Sequence, residues 1–170
     1  MGPARVALVR PSARRSAEFV AAVHQSQRLH GRWVKPPATP SAYRVYLRRL
    51  RRPTHEGYFI CLRDSDELVG VVNISEIVRG AFRSGYLGYY AFRPYERQGF
   101  MTEGLRLLVR DAFRRLGLDR LEANVQPENH ASIRLVRRLG FRREGYSPRY
   151  LKIQGRWRDH ERWALLAARS

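Results

Sequence analysis

The sequence predicts an α+β fold in three layers: a mixed, mostly antiparallel central sheet of about six to seven strands, flanked by about four helices. Two observations carry this prediction. Three strand-like segments follow one another in the middle of the chain, and strands then alternate with amphipathic helices toward its end. With 170 residues, of which 44% are hydrophobic, the chain fits one domain over residues 1–170 with a sizeable core.

The N-terminal third predicts a strand, two helices and a proline-rich loop. Residues 4–10 alternate in polarity, and residues 12–30 carry apolar side chains at helical spacing. Three prolines exclude a helix from residues 33–40, because proline lacks the N–H donor and restricts the residue before it. Ser41 is the predicted N-cap of a second helix over residues 42–51.

The middle of the chain predicts a three-stranded antiparallel meander. Residues 56–64, 67–78 and 84–92 are rich in β-branched and aromatic side chains that alternate with polar ones. Short polar or glycine-containing segments between them mark the turns.

The C-terminal half alternates helices and strands. Apolar residues from Leu105 to Leu116 recur at spacings of three and one, which predicts an amphipathic helix that Gly117 ends. A short strand over residues 120–126 and a helix over residues 129–140 follow. Two further strands, which turn at an Ile-Gln-Gly segment, complete the chain.

The charge of the chain is unusual. It has 33 Lys and Arg residues against 15 Asp and Glu, a net charge of +18, and all but two of the basic residues are arginine. Because the planar guanidinium donates two hydrogen bonds to phosphate, RNA, a ribosome and a phosphorylated cofactor are candidate partners. A coding bias that places arginine at solvated positions explains the same composition, so both explanations stay open.

The sequence gives no sign of several other classes of protein. It has no run of 18 apolar residues and no apolar N-terminal stretch of signal-peptide length, so we expect a cytoplasmic protein without a membrane partner. The single cysteine, Cys61, lies in an apolar segment and is expected to pack within a strand. No His and Cys residues have zinc-ligand spacing, so no metal is expected. A monomer and a homodimer are equally compatible with the sequence.

The segment around Gly99 combines the features of an anion site. A strand, a loop with one glycine and a helix follow one another there. The first amides of a helix have no intrahelical partner, and the helix dipole favours negative charge beside them. Gly99 lets the chain bend so that several amides converge, and Arg97 adds positive charge. On spacing alone, an ordinary turn before a helix explains the same residues.

Three longer segments resemble the GNAT acetyltransferases, in particular the RimJ/RimL type that acetylates the N-termini of ribosomal proteins. They are GYYAFRPYERQGFMTE, NVQPENHASIRLVRRLGF and EGYSPRYLKIQGRWRDH, and the resemblance covers about two thirds of the chain. It implies the acyl-CoA N-acyltransferase (GNAT) fold, acetyl-CoA as the acetyl donor and CoA as a product. It also implies a protein or peptide N-terminus, such as that of a ribosomal protein, as the acceptor.

The resemblance assigns the cofactor site to a loop, a strand and a helix start. The loop amides would hold the pyrophosphate, the strand at Tyr89 and Ala91 would hydrogen-bond the pantetheine, and Asn129 and Ser132 would complete the site. The loop residues are Arg97, Gln98, Gly99, Phe100, Met101 and Thr102. Glu96 departs from the family pattern, and its carboxylate would repel a pyrophosphate unless it points away or pairs with a neighbouring arginine.

The resemblance also suggests catalytic groups. Many relatives protonate the departing thiolate with a tyrosine that is Val136 here, and Ser132 is the substitute that RimJ/RimL-type members use. Asn124 matches a glutamate base of some relatives, and Glu122 lies two residues earlier on the same strand face. Ser132 and Asn129 are equally explained as ordinary first-turn and N-cap residues. An N-terminal amine has a pKa of about 7.7 to 8.0, so a weak base or a water suffices.

The acceptor is expected to lie among side chains from three segments. His30 and Trp33 of the proline-held loop would form a wall of a peptide groove, although a tryptophan that anchors the loop on the core explains the same pattern. Glu76, near the end of a strand, is a further candidate. The C-terminal hairpin would supply Tyr150, Trp157 and Asp159. A surface strand of alternating charge explains this last group equally well.

Two other functions stay open at this point. The chain could be a GNAT-fold module that binds RNA or a ribosome with weak or no turnover, which Glu96, Val136 and Arg149 favour because they depart from the family pattern. It could also acetylate a small amine, although the sequence does not provide the acidic cleft that such a substrate would favour.

Overall fold

The computed structural model describes residues 4–168 as one sheet with helices on both sides. In chain order the elements are β1 (Val6–Val9), α1 (Ser16–Gln25), α2 (Gln27–His30), α3 (Pro40–Arg49), β2 (Glu56–Leu62), β3 (Leu68–Val78), β4 (Ser84–Ala91), α4 (Phe100–Arg114), β5 (Arg120–Val125), α5 (His130–Arg138), β6 (Arg142–Ile153) and β7 (Arg156–Leu166). A short 3-10 turn, Ala13–Arg15, precedes α1.

The sheet confirms the predicted fold class. Its seven strands lie in the order β1-β2-β3-β4-β5-β7-β6, and β4 and β5 are the one parallel pair. The predicted meander is confirmed as β2, β3 and β4, which pair antiparallel. β4 and β5 run parallel because α4 carries the chain back across the sheet between them.

Two hydrophobic clusters, one on each face of the sheet, form the core. The cluster beneath α1 and α3 is mainly aromatic and includes Phe19, Tyr43, Tyr46, Phe59 and Phe92. The cluster beneath α4 and α5 is mainly aliphatic and includes Ile60, Leu105, Leu108, Leu121 and Val136. The apolar stripe that predicted α4 is therefore its buried face.

The prediction of one continuous helix over residues 12–30 is wrong. Ser26 separates α1 from α2 with φ −103° and ψ 9°. Its fully buried hydroxyl accepts a hydrogen bond from the N–H of Arg93 at 3.0 Å. This contact ties the helix break to the loop after β4.

The predicted cap of the next helix is also wrong. Thr39, rather than Ser41, caps α3, since its hydroxyl oxygen accepts a hydrogen bond from the N–H of Ala42 at 3.1 Å. Pro40 takes the first helical position, where its missing N–H is not needed. The helix therefore begins and ends two residues earlier than the sequence suggested.

The predicted helix-ending glycines and the buried cysteine are confirmed. Gly117 and Gly140 follow α4 and α5 with φ of 65° and 91°, the left-handed region that glycine adopts without strain. Cys61 is buried in β2, and burial raises the pKa of its thiol. Among residues 4–168 no group of three His, Cys, Asp or Glu side chains is placed to hold a metal ion.

None of the described helices has the length and apolar character needed to cross a bilayer.

Candidate active site

β4 and β5 part soon after they meet. The first three residues of β4 pair with residues 120–122, after which β4 continues along β3 to Ala91 while β5 continues along β7 to Val125. The opening between β4 residues 87–91 and β5 residues 123–125 is called the cleft below. Ligands of open sheets commonly bind at such a point, beyond the carboxyl ends of the strands.

α4 begins shortly after β4 with a geometry that suits an anion. Gly99 is its N-cap with φ 83°, and Arg97 in the preceding loop has φ 63°. The N–H of Glu103 bonds to the carbonyl of Gly99 at 3.1 Å, so the amides of residues 100–102 precede the first intrahelical bond. These amides and the helix dipole provide the donors that the sequence analysis expected at an anion site.

Close packing fixes the start of α4 against the sheet. Met101 lies over Gly70 of β3, where an added Cβ would also stand 2.8 Å from the carbonyl oxygen of Tyr90. Gly104 faces Ile60 of β2, and a Cβ there would come within 2.6 Å of the isoleucine Cγ1. Both glycines let the first turn of α4 approach the strands.

Arg5 is a residue of this site that the sequence did not reveal. From the start of β1 its guanidinium bonds to the carboxylate of Glu103 and donates to the carbonyl of Gln98 at 2.9 Å. It also lies over the ring of Phe100, 4.4 Å from the centroid. Arg5 thus holds the loop and the first turn of α4 against β1, and no local pattern near residue 5 signals this role.

Glu96, whose carboxylate was expected either to point away from the loop or to pair with an arginine, pairs with a neighbouring arginine. Its carboxylate accepts a hydrogen bond from the guanidinium of Arg93 at 3.1 Å and is largely shielded from solvent. The pair reduces the negative charge that Glu96 would present to a bound phosphate.

The main chain of β4 presents donors and acceptors to the cleft. The N–H of Phe92 bonds to Val69 of β3 at 2.8 Å, so by strand alternation the main-chain groups of Tyr89 and Ala91 face away from β3. Nε2 of His30 lies 2.8 Å from the carbonyl oxygen of Ala91. The carbonyl of Ala91 is therefore already engaged, and the amide of Ala91 and both main-chain groups of Tyr89 remain for a ligand.

His30 packs beneath β4 and does not lie on an open groove wall. Its ring meets the rings of Tyr90 and Phe92 edge-on, with centroids 5.4 and 5.8 Å away. Since a carbonyl only accepts, Nε2 carries the proton toward Ala91. Burial lowers the pKa of His30, so the ring is neutral at physiological pH.

Two hydroxyls meet beside the cleft. The hydroxyl of Tyr89 lies 2.5 Å from Oγ of Ser132 on α5. Asn129, the N-cap of α5, accepts a hydrogen bond from the N–H of Ser132 at 3.2 Å and so fixes the serine. The structure therefore brings together Tyr89, Asn129 and Ser132, and it adds the phenol of Tyr89, whose main chain alone was expected to act.

Burial keeps the Tyr89 phenol protonated. It raises the pKa of Tyr89 to about 12, against the opposing effect of the hydrogen bond to Ser132. A proton therefore stays on this hydroxyl pair throughout the neutral range, as a proton donor requires.

Glu122 and Asn124 lie on the face of β5 opposite its buried residues, and their surroundings differ. Glu122 pairs with Arg120 at 2.7 Å, and Arg120 also pairs with Glu144. The side-chain oxygen of Asn124 is buried and has no hydrogen-bond partner among the described residues. Asn124 thus offers an acceptor that Glu122, already bound to a guanidinium, does not.

A cavity of about 180 Å³ borders β4 on the side of α3. Its lining includes Lys35, Tyr46, Arg49, Asn73 and Tyr90. The hydroxyl of Tyr46 donates to Asn73 at 2.8 Å. Neither Trp33 nor Glu76 lines this cavity: Trp33 stacks under the guanidinium of Arg32, and Glu76 is exposed in an irregularity of β3 with φ 49°.

The C-terminal hairpin reaches the loop that holds Trp33. Gln154 at the hairpin turn donates to the carbonyl of Gly31 at 2.9 Å, which brings the segments of Trp33 and Trp157 together. Trp157 is exposed, and the ring of Tyr150 lies 6.1 Å from that of His160.

Asp159 is engaged within the hairpin. Its carboxylate accepts hydrogen bonds from the hydroxyl of Tyr146 at 2.5 Å and the N–H of Arg149 at 2.8 Å, and these bonds lower its pKa. It holds the irregular stretch where the pairing of β6 and β7 shifts register. An ammonium group would have to share a carboxylate that already has two donors.

The donor set of the cleft suits a ligand that carries both phosphates and amides. The amides at the start of α4 would hold a pyrophosphate, and the main chain of Tyr89 would meet amides of a pantetheine arm. Gly99 has the left-handed backbone that glycine adopts without strain, and a Cβ there would stand 3.3 Å from Nη2 of Arg5. The residues present therefore fit acetyl-CoA.

The chain is similar to known acetyltransferases. The Acetyltransferase (GNAT) domain family matches residues 5–142. The Bacillus subtilis (strain 168) protein named "Probable N-acetyltransferase YjcK" is 37% identical over 121 residues, 71% of this chain and 67% of that protein. The Escherichia coli (strain K12) ribosomal protein uS5-alanine N-acetyltransferase is 43% identical over 102 residues, 60% of this chain and 53% of the relative.

A solved structure shows the same fold. Mycobacterium smegmatis RimJ, in complex with CoA-disulfide, superposes with a TM-score of 0.86 at 28% identity and covers 95% of this chain and 82% of its own. The sequence match to the Escherichia coli relative spans about half of that protein's length. By family match, sequence and fold, the chain belongs to the GNAT acetyltransferase family.

Proposed function

We propose that the protein transfers the acetyl group of acetyl-CoA to the α-amine of a protein N-terminus, with a ribosomal protein as the candidate acceptor. The observation that carries this proposal is the Tyr89–Ser132 hydroxyl pair at 2.5 Å beside the cleft. The name of the uS5-alanine N-acetyltransferase supports the choice of acceptor, since that relative is 43% identical over the matched stretch.

The binding residues would act mainly through their main chain. The amides of residues 100–102 would bind the pyrophosphate, and the β4 edge at Tyr89 would hold the pantetheine arm. Met101 is compatible with this role because its side chain packs over Gly70 and leaves the amides to the ligand. Arg5 would keep the loop in place by its bonds to Glu103 and Gln98.

Acetyl-CoA supplies an activated acetyl thioester, and the transfer forms a C–N bond, breaks the C–S bond and leaves a thiol after proton uptake. The role of this chain is to hold the proton for that uptake at Oγ of Ser132, replenished by the phenol of Tyr89. An α-amine with a pKa of about 7.7 to 8.0 is partly neutral at cellular pH, so it needs only a weak acceptor for its own proton. The unpartnered oxygen of Asn124 would orient that amine by accepting a hydrogen bond.

The charge of the cavity favours a peptide over a polyamine. Among the described residues, Lys35 and Arg49 line it and no carboxylate does. A polycationic acceptor would meet like charges there, whereas the backbone of a peptide N-terminus would meet hydrogen-bond donors.

The test is an acetyl-transfer assay that separates α-amines from other amines. Acetyl-CoA is incubated with peptides that begin with Ala or Ser, and release of free thiol and the mass of the peptide are followed. The matched control is the same peptide with a blocked N-terminus and an internal lysine, and spermidine is a third acceptor. We expect acetylation of the free α-amine alone.

Three results would contradict the proposal. Equal turnover of the blocked, lysine-containing peptide would assign the enzyme to side-chain amines, and preferential turnover of spermidine would assign it to small amines. Binding of acetyl-CoA without turnover of any acceptor would favour the non-catalytic module.

A further inference from the structure

A row of arginines follows the exposed face of α4. Arg106, Arg110 and Arg114 recur at four-residue spacing, so they share one side of the helix, and all three are exposed. Eight residues of helix at ~1.5 Å per residue make the row about 12 Å long. It lies opposite the apolar stripe that packs on the sheet.

The row borders a groove between α4 and β1. The groove has a volume of about 440 Å³ and is lined by Arg63, Arg110, Arg114, Leu107, Leu8 and Asp111, with Ala7 and Tyr58 beneath them. Three guanidinium groups therefore converge on one concave surface with a partly apolar floor. This surface is called the α4 groove.

The carboxylates near the α4 groove are already paired. Asp111 accepts hydrogen bonds from Arg115 at 2.9 and 2.8 Å, and Glu56 pairs with Arg10 at 2.6 Å. By contrast, none of the ion pairs or side-chain hydrogen bonds found within residues 4–168 involves the four arginines of the groove and the row, Arg63, Arg106, Arg110 and Arg114. The groove is therefore locally cationic as well as part of a cationic protein.

We propose that the α4 groove binds the phosphate backbone of RNA, as a second binding site beyond the acetyl-transfer cleft. The length of the row favours a polyanion over a single phosphate, because one strand of a duplex carries a charge about every 3.4 Å of helix axis, so that ~12 Å of even a more extended single strand presents more than one phosphate. Guanidinium groups donate bidentately to phosphate, and the apolar floor at Leu8 and Leu107 accommodates sugar and base surface.

The α4 groove is separate from the anion site of the cleft. Arg110 follows Gly99 by eleven residues, about 16 Å along the helix axis, and Arg114 lies one turn further. RNA in the groove therefore leaves the amides at the helix start to acetyl-CoA. The choice of RNA as the polyanion rests on the proposed ribosomal acceptor. The existence of a cationic binding surface rests on the arginines of the groove alone.

The test compares two variants with the same charge change. Arg110→Gln/Arg114→Gln removes two charges from the α4 groove, and Arg44→Gln/Arg48→Gln removes two exposed charges at the same spacing on α3. Binding of a labelled 12-nucleotide single-stranded RNA is measured by fluorescence anisotropy at several salt concentrations, without acetyl-CoA. Because RNA binding is measured directly, a failure of the proposed acetyl transfer would not change this result.

We expect the groove variant to lose salt-dependent affinity. Each lost phosphate contact makes the negative slope of log K against log salt shallower by about 0.7, which is ~8-fold in affinity at ~50 mM salt relative to 1 M. The groove variant should therefore have a slope about 1.4 shallower than that of the parent. The α3 variant should change the slope by less than about 0.7, the value for one contact. Arg63→Gln should make the slope shallower by about 0.7, the value for one phosphate contact. As a control for an intact fold, acetyl-CoA should shift the Tm of each variant as it shifts that of the parent.

Three results would overturn the proposal. Equal losses in the α3 and groove variants would mean that binding follows net charge alone. Competition by polyglutamate as effective as that by unlabelled RNA would assign the surface to acidic proteins. A flat salt dependence of RNA binding in the parent protein would exclude a backbone site altogether.

Discussion

The Tyr89–Ser132 pair gives the sharpest prediction about mechanism. If the two hydroxyls form one donor, removing either one interrupts the same proton path, so Tyr89→Phe and Ser132→Ala should each lower kcat by ~10² or more. The double variant should then be no slower than the worse single variant, because residues that act as a unit are not additive. Two decades of non-additivity correspond to a coupling energy of about 2.7 kcal/mol.

The structure supports this magnitude. At 2.5 Å the two oxygens share a hydrogen bond across the junction of β4 and α5, and Asn129 fixes the serine by its bond to the Ser132 N–H. Loss of that hydrogen bond as a structural contact would cost only about 1 kcal/mol of stability. A large effect on kcat with a small effect on Tm therefore separates catalysis from folding.

The assay is steady-state thiol release with an acceptor peptide, combined with an independent titration of CoA binding. Affinity for CoA should stay nearly unchanged in all three variants. Because the pKa of Tyr89 is about 12, the donor stays protonated, and the parent's kcat should not fall between pH 7 and 10. Tyr43→Phe is the matched control, since its hydroxyl also donates a hydrogen bond, to the carbonyl of Ser12, but lies in the cluster on the other face of the sheet.

Two results would refute this reasoning. Multiplicative losses in the double variant would show two independent roles, and unchanged kcat in Ser132→Ala would leave the proton transfer to a water or another hydroxyl. A fall of kcat in Tyr43→Phe equal to that in Tyr89→Phe would indicate a general packing effect.

Three further predictions concern binding, packing and pH. Gly99→Pro should abolish the stabilisation of about 2.7 kcal/mol that acetyl-CoA at ~100 times its Kd gives the parent, because proline removes an N–H and cannot adopt φ 83°; an undiminished ligand-induced Tm shift would contradict it. Gly70→Ala should destabilise by about 1–3 kcal/mol because its Cβ would meet Met101 and a β4 carbonyl, whereas Gly88→Ala, with open space around it, should leave the Tm of thermal unfolding nearly unchanged. The pKa of buried His30 is lowered, so its contribution to the free energy of unfolding is fully present above pH ~6.5 and falls below that pH as the unfolded state takes up protons. His30→Gln should flatten the dependence of the unfolding free energy on pH, measured by urea titrations at several pH values. An unchanged pH dependence would refute the assignment.

Much of the fold was predictable because its signals are local. Alternation in β2 to β4, the apolar stripe of α4 and the glycines after α4 and α5 each depend on neighbours within a few residues. The same holds for the anion geometry at Gly99, since a left-handed glycine before a helix exposes amides regardless of the rest of the chain. The family resemblance added the expectation that Ser132 and Asn129 border the cleft.

Of the two predictions that failed, one depended on a distant partner and the other on the local path of the chain. Residues 12–30 satisfy a helical pattern throughout, and the break at Ser26 follows a hydrogen bond with Arg93, 67 positions away. The cap of α3 was ambiguous because Thr39 and Ser41 both carry hydroxyls, and only the path of the chain decided which one reaches the N–H of Ala42.

The sequence by itself therefore determined the elements, their order and the chemistry available to them. The tertiary structure decided which groups meet: Arg5 with Glu103 across 98 positions, Tyr89 with Ser132 across 43, and Gln154 with Gly31 across 123. It also decided that Asp159 is engaged by its own hairpin and that Arg110 and Arg114 of α4 line a groove and have no carboxylate partner among the described residues. The physical reason is that secondary structure is set by short-range sterics and periodic burial, whereas side-chain pairing depends on how the sheet brings remote segments together.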